Sequence, residues 1–333
     1  MSSAEFLYPS EAARRLGVSA KALRLYEQRG LVNPIRTSAG WRAYGPAEMA
    51  RAHEIAVLRA LGLSLAQVSR VLEGGAEDLE PALAAHQVTL EGQASRLAEI
   101  VEKVRAARAG LARGQRPSPS ELTALLGEGP SVAFDLPWPW GGERFELRDI
   151  RALTYIIGPL GSGKTRLAKQ IAQALPDAAF LDLDRTKQLD SDPGLEARVA
   201  QALAWLVGEG ASETPALIVL LSHLEAASPA VLVVDMVEQG LDEPSQEALI
   251  AHLRRRGPAA RPLFLMTRSS AILDLAAMGP DEAIILCPAN HSPPSRVTPH
   301  PGAPGYEAVA TCLASPAVRA RTEGMTAVLP GAA

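Results

Sequence analysis

Cysteine and aromatic side chains are scarce in this 333-residue sequence: there are two cysteines, Cys287 and Cys312, and 4% Phe, Trp and Tyr together. Two thiols so placed support neither a disulfide framework nor a thiolate metal cluster, so both read as buried or incidental. No run of about 18 uncharged apolar residues occurs, which argues against a membrane-spanning helix. The N-terminus, MSSAEFLYPSEAARR, lacks the charged start and apolar core of a secretion signal, and a cytoplasmic protein is expected. Net charge is also small, -4, which taken alone argues against a polyanionic partner. That average conceals a division. The first 75 residues carry 10 basic against 6 acidic residues, a balance of +4, and the remainder carries 23 against 31, a balance of -8. Positive charge is thus gathered at the N-terminal end, as a nucleic-acid footprint requires. What is plentiful is apolar material, 47% of a chain long enough for two cores.

Two short helices are predicted at residues 10–16 and 19–29, each opened by a serine N-cap, Ser10 and Ser19, and stopped by Gly17 and Gly30. Joined by the turn Gly17-Val18, they make a helix-turn-helix. Its second helix carries Lys21, Arg24, Tyr26 and Arg29 where a major-groove helix presents side chains. The turn-rich stretch NPIRTSAGWRAYG and helices at 46–60 and 64–73 complete an all-α winged module.

In spacing as well as residue type, GVSAKALRLYEQRGLV, GWRAY and LRALGLSLAQVSRVL resemble the N-terminal domain of the MerR family. The resemblance implies contacts to double-stranded promoter DNA from Lys21, Arg24 and Tyr26 on the recognition helix and from Arg42 and Tyr44 on the wing. Trp41 stands where that family commonly has tyrosine or phenylalanine. Tyr26 and Trp41 also admit a plainer reading, as core aromatics of a small domain. From 79 to 113 there is no proline after Pro81, and Leu83, Leu90, Leu97, Val104 and Leu111 recur every seven residues. This is a coiled-coil seam that needs a partner, either the C-terminal half of the chain or a second copy. MerR proteins dimerise here through an antiparallel helix pair, so the resemblance implies a homodimer and, through promoter distortion, RNA polymerase as a further partner. Metal sensors of that family place ligand cysteines after the helix; this sequence has none there, so its input is expected to be something other than a thiolate-bound metal. The stretch GQRPSPSELTALLGEGP reads as a linker with one short helix.

The second half opens on RALTYIIGPLGSGKT, an apolar strand running into Gly158-x-x-x-x-Gly163-Lys164-Thr165 and then a helix. Here Gly158, Gly161, Ser162 and Gly163 bring backbone N–H groups up to phosphate, followed by Arg166 at the helix start. Lys164 adds a point charge for the outer phosphates, and the Thr165 hydroxyl can hold Mg²⁺. AFLDLD, ALIVLL, VLVVD, PLFLMT and AIILC are read as further strands, six in all, alternating with helices such as EPSQEALIAHLRRR in a mainly parallel sheet. Asp235, closing VLVVD, is the second candidate for Mg²⁺. The run Asp235-Met236-Val237-Glu238-Gln239-Gly240-Leu241-Asp242 resembles an ABC-type ATPase segment, with two departures. Met236 replaces the glutamate that would polarise water, and Arg268 stands at the switch-histidine position. A thioether is no general base, so nucleotide binding with poor hydrolysis is expected unless Glu238 or a partner supplies the missing group. FLDLDR, with Asp182 and Asp184, is similar to a strand end of small P-loop kinases. His223, His252, His291 and His300 are too scattered for a ligand set, and 288–304 is expected to be a surface loop before a helix near 305–319.

The expectation is therefore an α/β protein with four parts. These are a winged helix-turn-helix at 1–75, a coiled-coil dimerisation helix at 76–113, a linker at 114–130 and a P-loop nucleotide-binding domain at 131–333. ATP or ADP with Mg²⁺ is the expected ligand of a DNA-binding regulator. Two alternatives remain: a P-loop ATPase or kinase with a DNA-binding module, and a regulator whose degenerate P-loop domain senses another ligand.

Overall fold

The computed structural model describes residues 6–37, 40–116, 131–185, 192, 194–257 and 260–313. The chain divides into two compact units, Met1–Gln93 and Ala94–Ala333.

In the first unit, α1 (Pro9–Leu16) and α2 (Ala20–Gln28) form the helix-turn-helix. The predicted Ser10 cap is not used. Pro9, with its preset φ, takes the first helical turn, and Tyr8 occupies the cap position without a side-chain bond. Gly17 ends α1 in the left-handed region at φ 68°, its amide reaching the carbonyls of Ala13 and Arg14. Ser19 does cap α2, its hydroxyl accepting the Ala22 amide at 3.0 Å. β1 (Ile35–Arg36) pairs antiparallel with β2 (Arg42–Ala43), so a two-residue ribbon supports the wing of a module expected to be all-α. α3 (Pro46–Ala60) and α4 (Leu65–Leu72) close it around Leu23, Ile55, Leu63 and Val68, all at most 1% exposed.

α5 (Leu79–Ala112) is one 34-residue helix. Its heptad leucines and Val104 are between 37% and 63% exposed in the single chain. The division between the compact units falls within this helix, between Gln93 and Ala94. Most of the expected linker lies outside the described residues.

After α5 the second unit continues with a hairpin, β3 (Val132–Asp135) and β4 (Arg144–Leu147), where no strand was expected. A six-stranded sheet follows: β5 (Leu153–Ile157), β6 (Ala178–Leu181), β7 (Val231–Val234), β8 (Leu263–Met266), β9 (Glu282–Leu286) and β10 (Ser295–Val297), in spatial order β10-β9-β5-β8-β7-β6. All neighbours are parallel except β9 and β10. The strand count matches the expectation but its membership does not. ALIVLL is helical, inside α8 (Pro215–Glu225), which follows α6 (Lys164–Ala174) and α7 (Leu195–Glu209). A short apolar run reads alike as buried strand or buried helix; here Thr214 decides, capping the Leu217 amide at 3.2 Å with Pro215 in the first turn. The sixth strand is instead β10, inside the proline-rich stretch predicted to be irregular. At three residues and on the sheet edge, it tolerates its proline neighbours. α9 (Glu243–Arg255) and α10 (Tyr306–Cys312) complete the fold, and anything beyond 313 in the expected last helix lies outside the described residues. β5, β7 and β8 are buried on both faces, between one core built largely from α7, α8 and α9 and another built from α6 and the hairpin. Among the described residues no helix is long and apolar enough to cross a membrane.

Candidate functional site

Because β8 lies between β5 and β7, the carboxyl ends of these three strands bring Gly158, Arg268 and Asp235 to one edge of the sheet. Open parallel sheets bind ligands outside such an edge. The loop from Gly158 to Gly163 winds into α6, with Gly161 at φ 79° and Gly163 at φ 89°. Close approach forbids larger residues as well. A Cβ at Gly158 would lie 2.4 Å from the Cys287 carbonyl oxygen, and one at Gly163 would lie 2.6 Å from the Trp140 ring. Lys164 donates from Nζ to the carbonyls of Gly158 at 2.7 Å and Pro159 at 2.6 Å. Burial holds its pKa below the ordinary lysine value, and Arg268 pushes it in the same direction. The Ser162 hydroxyl is buried with no partner. An orphaned hydroxyl, a half-buried ammonium and a glycine-built loop at a helix start fit a phosphate group.

Thr165 and Arg166 are exposed at the start of α6. Asp235 is buried, and desolvation raises its carboxyl pKa against the pull of Lys164 and Lys169. Arg268 is half-buried, its amide donating to Glu238 Oε1 at 2.8 Å, while Glu238 Oε2 is buried without a partner. Met236 holds a left-handed φ of 41°. Asp242 is occupied as the N-cap of α9, accepting the Ser245 amide at 2.9 Å. The arginine of FLDLDR is likewise committed: Arg185, 8% exposed, donates to the carbonyls of Met236 and Val237, each at 3.2 Å, bracing the loop after β7. Asp182 and Asp184 are exposed, and Asp182 accepts the Arg185 amide.

Two tryptophans were missed as site residues. In the β3–β4 connection, Trp138 is 71% exposed with the Arg166 guanidinium 4.7 Å from its ring centre, while Trp140 is buried against Gly163. The signal was available as Trp-Pro-Trp shortly before the glycine loop. The arginines ending α9, by contrast, are structural. Arg254 pairs with Glu282 at 3.0 Å, Arg255 lies over the Trp205 ring, and Arg256 and Arg261 donate to carbonyls at the end of α8.

In the first unit Lys21 and Arg24 are exposed on α2. Tyr26 and Tyr44 are 4% and 0% exposed, so neither ring has a face to offer DNA. The Tyr44 hydroxyl donates to Glu27 Oε1, and Glu27 Oε2 pairs with Arg42 Nε at 3.1 Å, tying wing to recognition helix. Burial first, then Glu27, drive the Tyr44 phenol pKa well above its ordinary value. Of the two aromatics given a core reading, Tyr26 fits it and Trp41, 68% exposed, does not.

Residues 9–75 match the MerR HTH family regulatory protein model, and residues 154–281 match that of the ATPase family associated with various cellular activities (AAA). A probable heavy metal-dependent transcriptional regulator of Haemophilus influenzae is 34% identical over 102 residues, which are 28% of this chain and 80% of that protein. The chain belongs to the MerR family. It is a MerR-type transcription regulator whose second half carries the match to the AAA ATPase model. Another relative, the HTH-type transcriptional regulator HmrR of Sinorhizobium medicae, is 40% identical over 63 residues, covering 19% of this chain and 43% of its own length. Among solved structures, an ATP-binding cassette of an ABC transporter in its ADP conformation aligns over 59% of this chain and all of its own, at 14% identity and a TM-score of 0.36.

Proposed function

We propose that this MerR-type regulator is a cytoplasmic homodimer that binds promoter DNA through its N-terminal module and senses ATP or ADP through its P-loop domain. The boundaries are those given above: 1–75 for DNA, 76–113 for dimerisation, 114–130 as linker and 131–333 for nucleotide. The observation that carries the reading is the convergence of the glycine loop, Lys164, Asp235 and Arg268 at one sheet edge. Gly158, Gly161, Ser162 and Gly163 would surround the phosphates, with Lys164 as counter-charge. Thr165 and Asp235 would hold Mg²⁺, which neutralises phosphate charge when bound. Arg268, whose guanidinium has no hydrogen bond or ion pair among the described residues, would meet the terminal phosphate. Trp138, with Arg166 beside it, offers a stacking face to the base.

Lys21, Arg24 and Arg42 supply the DNA-facing cations, with Tyr26 and Tyr44 as the framework that sets their spacing. Nucleotide then selects between two dimer states that hold the promoter in different geometries for RNA polymerase. It does so only as far as its affinity differs between them. Thermal unfolding with and without Mg-ATP tests this. Ligand at a hundred times its dissociation constant stabilises by roughly 2.7 kcal/mol, and Lys164→Ala is expected to abolish the shift. An unchanged melting curve in millimolar ATP and ADP would sink the nucleotide-sensing reading.

A further inference from the structure

The connection between β9 and β10, within the stretch expected to be a surface loop, touches the glycine loop at Gly158 and Gly161. Cys287, just after β9, places its carbonyl against Gly158. His291 Nε2 lies 3.0 Å from the carbonyl oxygen of Gly161, and since a carbonyl only accepts, that nitrogen carries the hydrogen. The Ser292 carbonyl accepts Trp140 Nε1 at 3.2 Å, and the Trp140 ring packs on Gly163. His291 itself sits at φ 57°, a left-handed conformation uncommon outside glycine. The turn is fixed by its own bonds, the His291 amide to the Pro288 carbonyl at 3.2 Å and the Ser292 amide to Asn290 Oδ1 at 3.1 Å. A strained residue held at a phosphate-type loop points to a role there.

We propose that the turn Pro288–Pro294 clamps the P-loop and that His291 is a positioning residue for phosphate binding, acting through the Gly161 carbonyl. The inference rests on the nucleotide reading above and adds to it. A trans peptide points its C=O and the following N–H to opposite sides. With the Gly161 carbonyl held by His291, the Ser162 amide is turned inward, away from the imidazole, where among the described residues it meets only the Pro159 carbonyl at a long 3.4 Å. So stretched a bond is readily exchanged for a phosphate oxygen. Without the imidazole, the peptide is free to rotate and the inward donor is lost for part of the time.

The experiment compares wild type, His291→Ala and His291→Gln by amide hydrogen exchange over residues 158–165 without nucleotide, and by titration with Mg-ATP and Mg-ADP. Losing one net hydrogen bond corresponds to about three- to tenfold. Exchange of the loop amides should quicken by that factor in His291→Ala, and both nucleotides should bind more weakly to a similar degree. His291→Gln, which keeps an N–H donor, should restore both. Equal loop exchange in all three proteins overturns the clamp, as does faster exchange in His291→Ala that glutamine fails to restore. Faster exchange, restored by glutamine, in a protein whose wild type binds neither nucleotide leaves the clamp standing and overturns the nucleotide reading instead. Unaltered nucleotide affinity in His291→Ala, with wild type binding normally, overturns the positioning role.

Discussion

Met236 is the residue on which the expectation of slow turnover rests. Where the resembling ATPase segment has a carboxylate, a thioether stands beside Asp235, and Glu238, two residues further on, is bound to the Arg268 amide. Hydrolysis of saturating Mg-ATP is therefore expected to run well below about 1 s⁻¹, the lower end for ordinary enzymes. Steady-state phosphate release checks this, and fast turnover would favour the enzyme reading. A second residue-scale consequence concerns Cys287. Burial pushes its thiol pKa up to about 12, with Lys164 pulling the other way, whereas in the unfolded chain the thiol ionises near ~8.5. The folded state keeps the proton longer, so its contribution is fully present below pH ~8.5 and is lost as the pH rises towards 12. In Cys287→Ala the decline of unfolding free energy above pH ~8.5 should be shallower than in wild type; an identical decline would contradict the assignment. On the DNA side, Arg24→Ala should cost about 1 to 3 kcal/mol on the operator and little on random DNA if the side chain reads a base edge. Arg42→Ala should weaken binding to every sequence, since it frees the wing from Glu27. Titrations at several salt concentrations separate the two, and equal losses from both variants on both DNAs would remove the base-reading role of Arg24.

Among the elements, α5 exposes an apolar seam that a lone chain leaves in water. Leu90→Asp with Leu97→Asp should convert a dimer into a monomer in sedimentation while the helix-turn-helix core stays folded. A double variant still dimeric would place the interface elsewhere. Elements were legible where one local rule decides them. The glycine loop, the Ser19 cap and the heptads of α5 are such cases, each marked by residues adjacent in sequence. They were misread where the deciding interaction is distant or ambiguous. ALIVLL has no period, so only Thr214-Pro215 distinguishes helix from strand. β10 exists because β9 offers a free edge, which no pattern within Ser295–Val297 announces. Site residues followed the same division. Lys164 and Asp235 announce themselves by motif, whereas Arg185, Trp140 and His291 gain meaning only from carbonyls contributed by other segments. Tyr44 was expected at the DNA through the family resemblance, and its full burial follows from packing that its neighbours in sequence do not reveal.

At the scale of the whole molecule, coupling between nucleotide and DNA must be reciprocal. If Mg-ATP changes affinity for the operator by some factor, operator DNA changes affinity for Mg-ATP by the same factor. Titrating each ligand in the presence and absence of the other measures this. Two independent affinities would mean that the domains share a chain without sharing a signal. The tryptophans bear on how such measurements are made, because Trp138 is 71% exposed with the cationic face of Arg166 beside it, while Trp140 is sealed beneath. An indole in water emits to the red of one packed in a core, and a stacked base extinguishes it. With Trp41, also exposed, replaced by phenylalanine, Trp138 would serve as an optical gauge at the mouth of the loop, readable without any label.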